Sequence, residues 1–362
     1  MSYSSLIILL AGLVSGVLLF LRRPILPDEE LVNSHKKISV IIPARNEENN
    51  LAFILQDLSE QSAMIYEIIC VDDDSADKTA EIAESFGATL IKVTDKPEGW
   101  TGKSFACQTG ADFASGELLL FLDADVRLQP NAIRKLEKAY ENFKCVVSVQ
   151  PYHKTIKVYE QLSLFFNLII IAANGIGLPF RKKNIGLFGP VILIGKKEYY
   201  FAGGHSSVKK SIADDLTFGE NLKGKGMKFV LFLGEKDISF RMYDAGFNQL
   251  RQGWIKNIAT GASKTSLILI LMVTLWLASG TTAVLNFINL TTDFSYLKLG
   301  LDIILYIVVV SELWIAAQKV GNFKKSAIVL YPFSLLFFLV IFILSLFKKV
   351  FHIKAIWKGR KI

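Results

Sequence analysis

The chain has 362 residues, of which 51% are hydrophobic, and its mean hydropathy is +0.38. That is too apolar for a wholly water-soluble protein, so part of the chain belongs in lipid. The formal net charge is +8, and the basic clusters lie beside apolar segments with no recognised nucleic-acid module. They therefore suit anionic headgroups and phosphates, and nucleic acid is set aside as a partner.

Residues 5–21 are apolar, with no basic residue before them, no small-residue cleavage site after them, and Arg22 and Arg23 following at once. This is the pattern of an uncleaved membrane anchor with the N-terminus outside and the next domain in the cytosol. Residues 1–35 are assigned to that anchor. From 36 to 262, short β-branched runs alternate with helical ones: strands at 38–43, 66–71, 88–93, 117–122 and 146–149. Helices are predicted from Glu47 to Gln61, over 76–86 and 103–115, and from Pro130 to Glu141. Strands that are apolar throughout and separated by helices predict an α/β domain with a mostly parallel sheet covered on both faces, binding its ligand beyond the carboxyl ends of the strands.

The segment 158–180 is apolar and is followed by Arg181, Lys182 and Lys183, which fits either a helix lying flat in a membrane interface or a buried core helix. Residues 266–290 and 327–347 are long enough to cross a bilayer, within a C-terminal membrane region of 263–347. A further stretch, 297–317, is weakened by Asp302 and Glu312. Three crossings after a cytosolic domain leave the basic tail, 348–362, outside. One segment is therefore expected to fall short, either 297–317 or a stretch broken near Pro332. Cys70, Cys107 and Cys145 are widely spaced in apolar surroundings, which argues against a disulfide framework and a zinc site.

Polar clusters sit at the strand ends. Asp123 and Asp125 follow the 117–122 strand, and paired carboxylates suit Mg2+ or Mn2+, hard cations whose shell substrate phosphates complete. Asp72 and Asp73 lie in VDDDSADKT, where either carboxylate can accept from a nucleobase N–H and Ser75 and Asp77 can cap the next helix. Pro43, Ala44, Arg45 and Glu47 end the first strand, with Arg45 suited to phosphate or to solvent. Lys103 follows a glycine-flanked turn at a helix start and can face an anion. Asp214 and Asp215 precede a helical stretch, as a general base or as caps.

In order, IIPARNEE, VDDDSADKT, GWTGKSFACQTGA, LLFLDADVRL, the segment from Gly189-Pro190 to Gly203-Gly204-His205, and ADDLTFGENLKGKG resemble the family 2 glycosyltransferases of the GT-A fold, over about two thirds of the chain. GWTGK, Gly-Gly-His, RMYDAGF, Gly253 to Asn257 and Trp357 to Arg360 look closest to the members that glycosylate a carotenoid acid, with hopanoid and ceramide-type lipid enzymes as cousins. The resemblance implies the GT-A nucleotide-diphospho-sugar transferase fold with transmembrane helices at both termini, and inverting, metal-dependent hexosyl transfer. The implied donor is a UDP-hexose such as UDP-glucose, and the implied acceptor a membrane lipid such as a carotenoid acid or a glycerolipid or hopanoid alcohol.

It further implies a multi-pass cell-membrane enzyme with a cytoplasmic catalytic domain and Mn2+ or Mg2+ as cofactor. By position, Pro43, Ala44, Arg45, Glu47, Asp72 and Asp73 hold the nucleoside, Lys103 the donor, and Asp123 and Asp125 the diphosphate and metal. Asp215 or its neighbour Asp214 is the base. Gly204, His205, Arg251 and Trp254 fall on the acceptor side, with a structural loop histidine as the favoured alternative for His205. Two departures stand out: Asp74 replaces the usual glycine after the paired aspartates, and the Gln-x-x-Arg-Trp signature of processive synthases is missing, which favours single transfer. A nucleotidyltransferase would want a glycine-rich loop after the first strand, a transporter an inverted repeat, and a membrane scaffold no intact acidic clusters.

Overall fold

The computed structural model describes residues 3–28, 36–61, 65–179, 185–211, 213–262, 264–290, 294–351, 353, 356–357 and 360–361. The elements run α1 (Tyr3–Leu19), β1 (Ile38–Ala44), α2 (Leu51–Ser59), β2 (Ile65–Asp72), α3 (Thr79–Ser85), β3 (Thr89–Lys92), α4 (Gly102–Phe113) and β4 (Leu118–Leu122). Next come β5 (Val126–Leu128), α5 (Ala132–Phe143), β6 (Val146–Gln150), β7 (Tyr152–His153), α6 (Leu164–Asn174), β8 (Val191–Gly195), α7 (Lys196–Ala202), α8 (Asp214–Gly224), β9 (Phe229–Leu233) and β10 (Ile238–Phe240). Helices α9 (Phe247–Ala262), α10 (Leu267–Asn289), α11 (Tyr296–Ala317), α12 (Lys325–Val329) and α13 (Tyr331–Val350) precede a ribbon of β11 (Ile356–Trp357) and β12 (Arg360–Lys361). The expectations for Arg181 to Lys183 and for Lys358 and Gly359 lie outside the described residues.

Two compact units emerge: residues 24–152 with 186–242, and residues 1–23 with 153–185 and 243–362. This differs from the contiguous 36–262 division, since 153–185 and everything after 242 join the apolar helices.

In the first unit a seven-stranded sheet has the order β3-β2-β1-β4-β8-β6-β9. β1 pairs in parallel with β2 and β4, β2 with β3, and β6 with β9, while β8 runs antiparallel between β4 and β6. β4 and β8 are buried at every position because helices cover the sheet on both faces, which is why their sequences lack polar alternation. α5 shows the complementary pattern: Ala132, Ile133, Leu136, Ala139 and Tyr140 recur at helical spacing and enter the core. Each fully buried Leu or Ile there contributes about 1.5–3 kcal/mol relative to exposure.

The topology reverses between β1 and β4, so the crevice beyond their carboxyl ends is the expected ligand position in an open α/β sheet. The turn leaving β4 is anchored on its far side. Asp57 of α2 holds Arg127 of β5 through both oxygens, at 2.6 and 2.7 Å, and accepts the Leu128 N–H at 2.9 Å.

Two helices start later than predicted. α2 begins at Leu51 and α3 at Thr79, because Asn46 to Glu48 and Ser75 to Thr79 spend their polar groups on one another. Asp77 accepts from the Thr79 N–H at 3.0 Å and so serves the start of α3, whereas Ser75 bonds Asp72 rather than the helix.

In the second unit α10, α11 and α13 are each long and apolar enough to cross a membrane. The expectation that 297–317 falls short is corrected: it forms the continuous 22-residue α11, and Pro332 sits in the first turn of α13, where its missing N–H costs nothing. The short helix is α1, with 17 residues. α1 lies against α10 through two glycines: a Cβ at Gly12 would run into the Leu275 carbonyl oxygen, and one at Gly16 into the Trp276 ring of α10 and the Glu312 carboxylate of α11. Small residues four apart let helix backbones approach closely in lipid. α6 is buried on nearly all faces, against α10, α13 and α9, so the interfacial reading of 158–180 gives way to the core reading.

Asp57→Ala strands Arg127 beside the core and frees the chain after Asp125. The expected outcome is a loss of about 1–2 kcal/mol, read as a lower melting temperature. Unchanged melting means that the ion pair does not fix this turn.

Candidate functional site

The first unit carries a narrow crevice beyond the ends of β1 and β4, lined among others by Pro43, Lys103, Asp123, His205, Asp214 and Asp215. Four of these residues arrive on helix or strand ends. Asp123 leaves β4, with its N–H donating to the Pro190 carbonyl at 3.0 Å, beside the antiparallel start of β8. Lys103 is in the first turn of α4, whose N-cap is Thr101. Asp214 and Asp215 open α8, where the helix dipole favours negative charge; the N-cap is Ala213, so neither aspartate is the cap.

Lys103 Nζ lies 2.5 Å from Asp123 Oδ1. Burial opposes its positive charge, but the Asp123 and Asp214 carboxylates outweigh it and hold the ammonium above its usual range. Asp214 Oδ2 accepts from Ser104 Oγ at 3.1 Å. Asp215 Oδ1 takes only the next backbone N–H, Leu216, at 2.9 Å, and its Oδ2 faces Gly189, where a Cβ would stand 2.8 Å away. Burial, and then the charge of Asp214, push the Asp215 carboxyl up to about 6.

His205 is 4% exposed and stacks on Phe218, with Phe121 on another side. Its Nδ1 is 2.9 Å from the Tyr199 hydroxyl, and its backbone N–H donates to the same oxygen at 3.0 Å. Burial lowers its pKa to about 4, so the ring is neutral near pH 7. Gly204 precedes it at φ +56° and abuts Gln108 and Tyr199, which leaves room only for glycine.

The remaining residues gather at the neighbouring strand ends. The Ala44 carbonyl accepts from Asp73 N–H at 2.9 Å, and Arg45 Nη1 donates to the Asp73 and Asp74 carbonyls at 2.5 and 3.1 Å. Arg45 therefore braces the acidic loop. Glu47 accepts from Asn50 at 3.0 Å, while Asp72 and Asp73 are buried. Asp74 adopts φ +58°, the left-handed region that explains a glycine at this point and that aspartate tolerates. Asp125 is partly buried on the turn after Asp123.

Arg251 and Trp254 fall in the other compact unit. Trp254 is 1% exposed, donates to Ser163 Oγ at 3.2 Å and stacks on Phe166 at 4.5 Å, so it is a packing residue and not a ligand contact; Arg251 is exposed on α9. Sequence reasoning passed over Ser104 and Cys107. Cys107 had a signal, since it lies one helical turn after Lys103, and burial pushes its thiol above the usual range.

The sequence matches Glycosyl transferase family 2 over residues 39–215. It is 33% identical to the 4,4'-diaponeurosporenoate glycosyltransferase of Staphylococcus aureus strain N315, over 98% of this chain and 96% of that protein, and equally so to the same enzyme of strain USA300. The chain belongs to glycosyltransferase family 2. A mannosyltransferase from Pyrobaculum calidifontis, solved with GDP-Man and Mn2+, superposes with a TM-score of 0.57 over 97% of this chain and 99% of that one, at 14% identity. The glycosyltransferase thus has the GT-A fold its sequence implied.

The raised Asp215 carboxyl has a consequence for stability. Folded protein binds this proton more tightly than the unfolded chain, so the contribution is fully present below about pH 4 and is lost as pH rises through about 6. Asp215→Asn is expected to raise the melting temperature of the glycosyltransferase near neutral pH and to leave it little changed near pH 4. An equal shift at both pH values overturns the assignment.

Proposed function

We propose that this enzyme transfers glucose from UDP-glucose to the carboxyl group of a carotenoid acid in a membrane, inverting the anomeric carbon, with Mn2+ or Mg2+. The observation that carries the reading is the gathering of Lys103, Asp123, Asp214 and Asp215 in one pocket beyond β1 and β4. The name of the Staphylococcus aureus relative supplies the acceptor class. Arg22 and Arg23 after α1 favour a cytoplasmic catalytic unit, with the apolar helices as its membrane anchor.

In this reading Pro43, Ala44, Arg45, Glu47, Asp72 and Asp73 hold the nucleoside, and Arg45 does so by fixing the loop that carries Asp73. Among the described residues no third carboxylate, histidine or cysteine joins Asp123 and Asp125. A pair of hard oxygen donors on one turn fits a divalent ion whose shell the diphosphate completes. A metal held there offsets the charge that builds on the departing diphosphate. Lys103 adds a fixed cation for the same oxygens.

The acceptor oxygen attacks the anomeric carbon from the face opposite the diphosphate. The new C–O bond forms as the bond to the diphosphate breaks, and UDP leaves with the electron pair. Asp215 takes the proton of an acceptor that still carries one; its carboxyl, near 6, is a stronger base than an ordinary aspartate and still ionised at neutral pH. His205 and Gly204 flank the acceptor side, with His205 as a neutral wall.

The test compares wild type and Asp125→Ala on UDP- and GDP-sugars with polyene acids and long-chain alcohols, products being read by mass spectrometry. Metal-dependent transfer from UDP-glucose to the acid is expected, falling on the order of a hundredfold in the variant. Full activity in a chelator overturns the metal assignment. Asp215→Asn is expected to abolish transfer to an alcohol and only weaken transfer to an ionised acid. Full activity of that variant on an alcohol removes Asp215 from the reaction.

A further inference from the structure

Ser104 is fully buried, although serine in the first turn of a helix is ordinarily solvated. Its surroundings fix the direction of two hydrogen bonds. Asp214 Oδ2 as a carboxylate only accepts, so the Ser104 hydroxyl proton points to it across 3.1 Å. With that proton committed, Ser104 Oγ accepts from the Thr101 hydroxyl at 2.8 Å. Thr101 in turn is the N-cap of α4, where its oxygen accepts the Ser104 N–H at 3.3 Å. The order of donation is therefore Thr101 to Ser104 to Asp214, and it ties the first turn of α4 to the first turn of α8.

Two adjacent carboxylates at a helix start are interchangeable by charge alone. Ser104 separates them: one oxygen of Asp214 is bound to a side chain of another helix, whereas Asp215, among the described residues, accepts from its neighbour's N–H and keeps Oδ2 on the Gly189 side of the pocket. We infer that Ser104, oriented by Thr101, is a positioning residue for catalysis: it fixes Asp214 and thereby the first turn of α8, so that Asp215 is presented to the acceptor as the base. This rests on the base assignment proposed above. Asp214 is then a structural and electrostatic neighbour of the base, and neither Ser104 nor Thr101 touches substrate.

Water serves as the acceptor probe, because hydrolysis of UDP-glucose needs the same proton removal without an identified lipid. The full-length protein in detergent is assayed for hydrolysis with Mn2+ as wild type, Ser104→Ala, Ser104→Thr and Asp215→Asn. Ser104→Ala is expected to lower kcat about tenfold with KM for UDP-glucose unchanged within about twofold, and Ser104→Thr, which keeps the hydroxyl, to restore most of the rate. A purely structural role for Ser104 predicts a displaced Lys103, hence a raised KM with kcat held and no rescue by threonine, and that pattern overturns the proposal. So does an unchanged kcat in Ser104→Ala when Asp215→Asn is inactive. Should Ser104→Ala not fold, Ser104→Cys keeps the volume with a weaker donor and is expected to show a smaller loss of kcat; an unaltered kcat there again counts against the relay. Wild-type hydrolysis that survives Asp215→Asn strikes the base assignment itself and is thereby told apart from a failure of Ser104 alone.

Discussion

One ammonium held among three carboxylates is the constraint on which the site depends. Lys103 contacts Asp123 directly and lies in the field of Asp214, while Asp215 stands beside Asp214, whose charge and the burial outweigh the pull of Lys103. Removing several like charges from water costs several kcal/mol per ion, so the fold must supply compensation from fixed groups. It does so with the start of α8, whose dipole is worth about 0.3–1 kcal/mol to each acid, and with the Ser104 hydroxyl. What remains uncompensated appears as the raised proton affinity of Asp215. The stored cost and the basicity are the same physical fact.

The sheet order is what makes this cluster possible. β1 and β4 are neighbours although their starts, Ile38 and Leu118, are 80 positions apart, and β8 enters antiparallel beside β4 with its first residues at the site end. Gly189 and Pro190 therefore meet Asp123 and Asp215 at the place where a parallel strand would have left its amino end on the opposite rim.

β9 and the fully buried β8 were not predicted, whereas β1, β4 and β6 were legible in the sequence as apolar runs because both of their faces are buried, and β2 and β3 as β-branched runs. The carboxylates at their ends were legible for the same reason, as the first polar residues after an apolar run. Helix starts were less so. The runs from Glu47 and from residue 76 read as helical, but Asn46, Glu47 and Glu48 bond across to Ser75, Asp77 and Thr79, and a loop-to-loop pairing of this sort leaves no periodic trace. The 158–180 segment is apolar on every side, so its pattern fitted lipid and core equally, and only its neighbours decide. Trp254 was placed on the acceptor side by the resemblance alone, and no local pattern shows that its ring is buried with its N–H on Ser163. The bond from Ser104 to Asp214 spans 110 positions and joins two unremarkable residue types, which no local spacing reveals.

The two sides of the site are built by different means. At one rim the loops after β1 and β2 are braced by at least five cross-bonds, with Arg45 spanning two carbonyls and Asp74 accepting a left-handed backbone to let the chain turn under them. Such a network sets the loop geometry before any ligand arrives, which lowers the ordering cost of binding the nucleotide proposed for this rim. On the other side His205 is neutral and enclosed by Phe121, Tyr199 and Phe218, with both of its bonds going to one tyrosine oxygen. A wall of that kind offers little charge and little hydrogen bonding, so it discriminates by shape and excludes water. A rigid polar loop rim beside an enclosed aromatic wall fits the proposed reaction, whose first substrate is highly charged and whose second is carried by an apolar body.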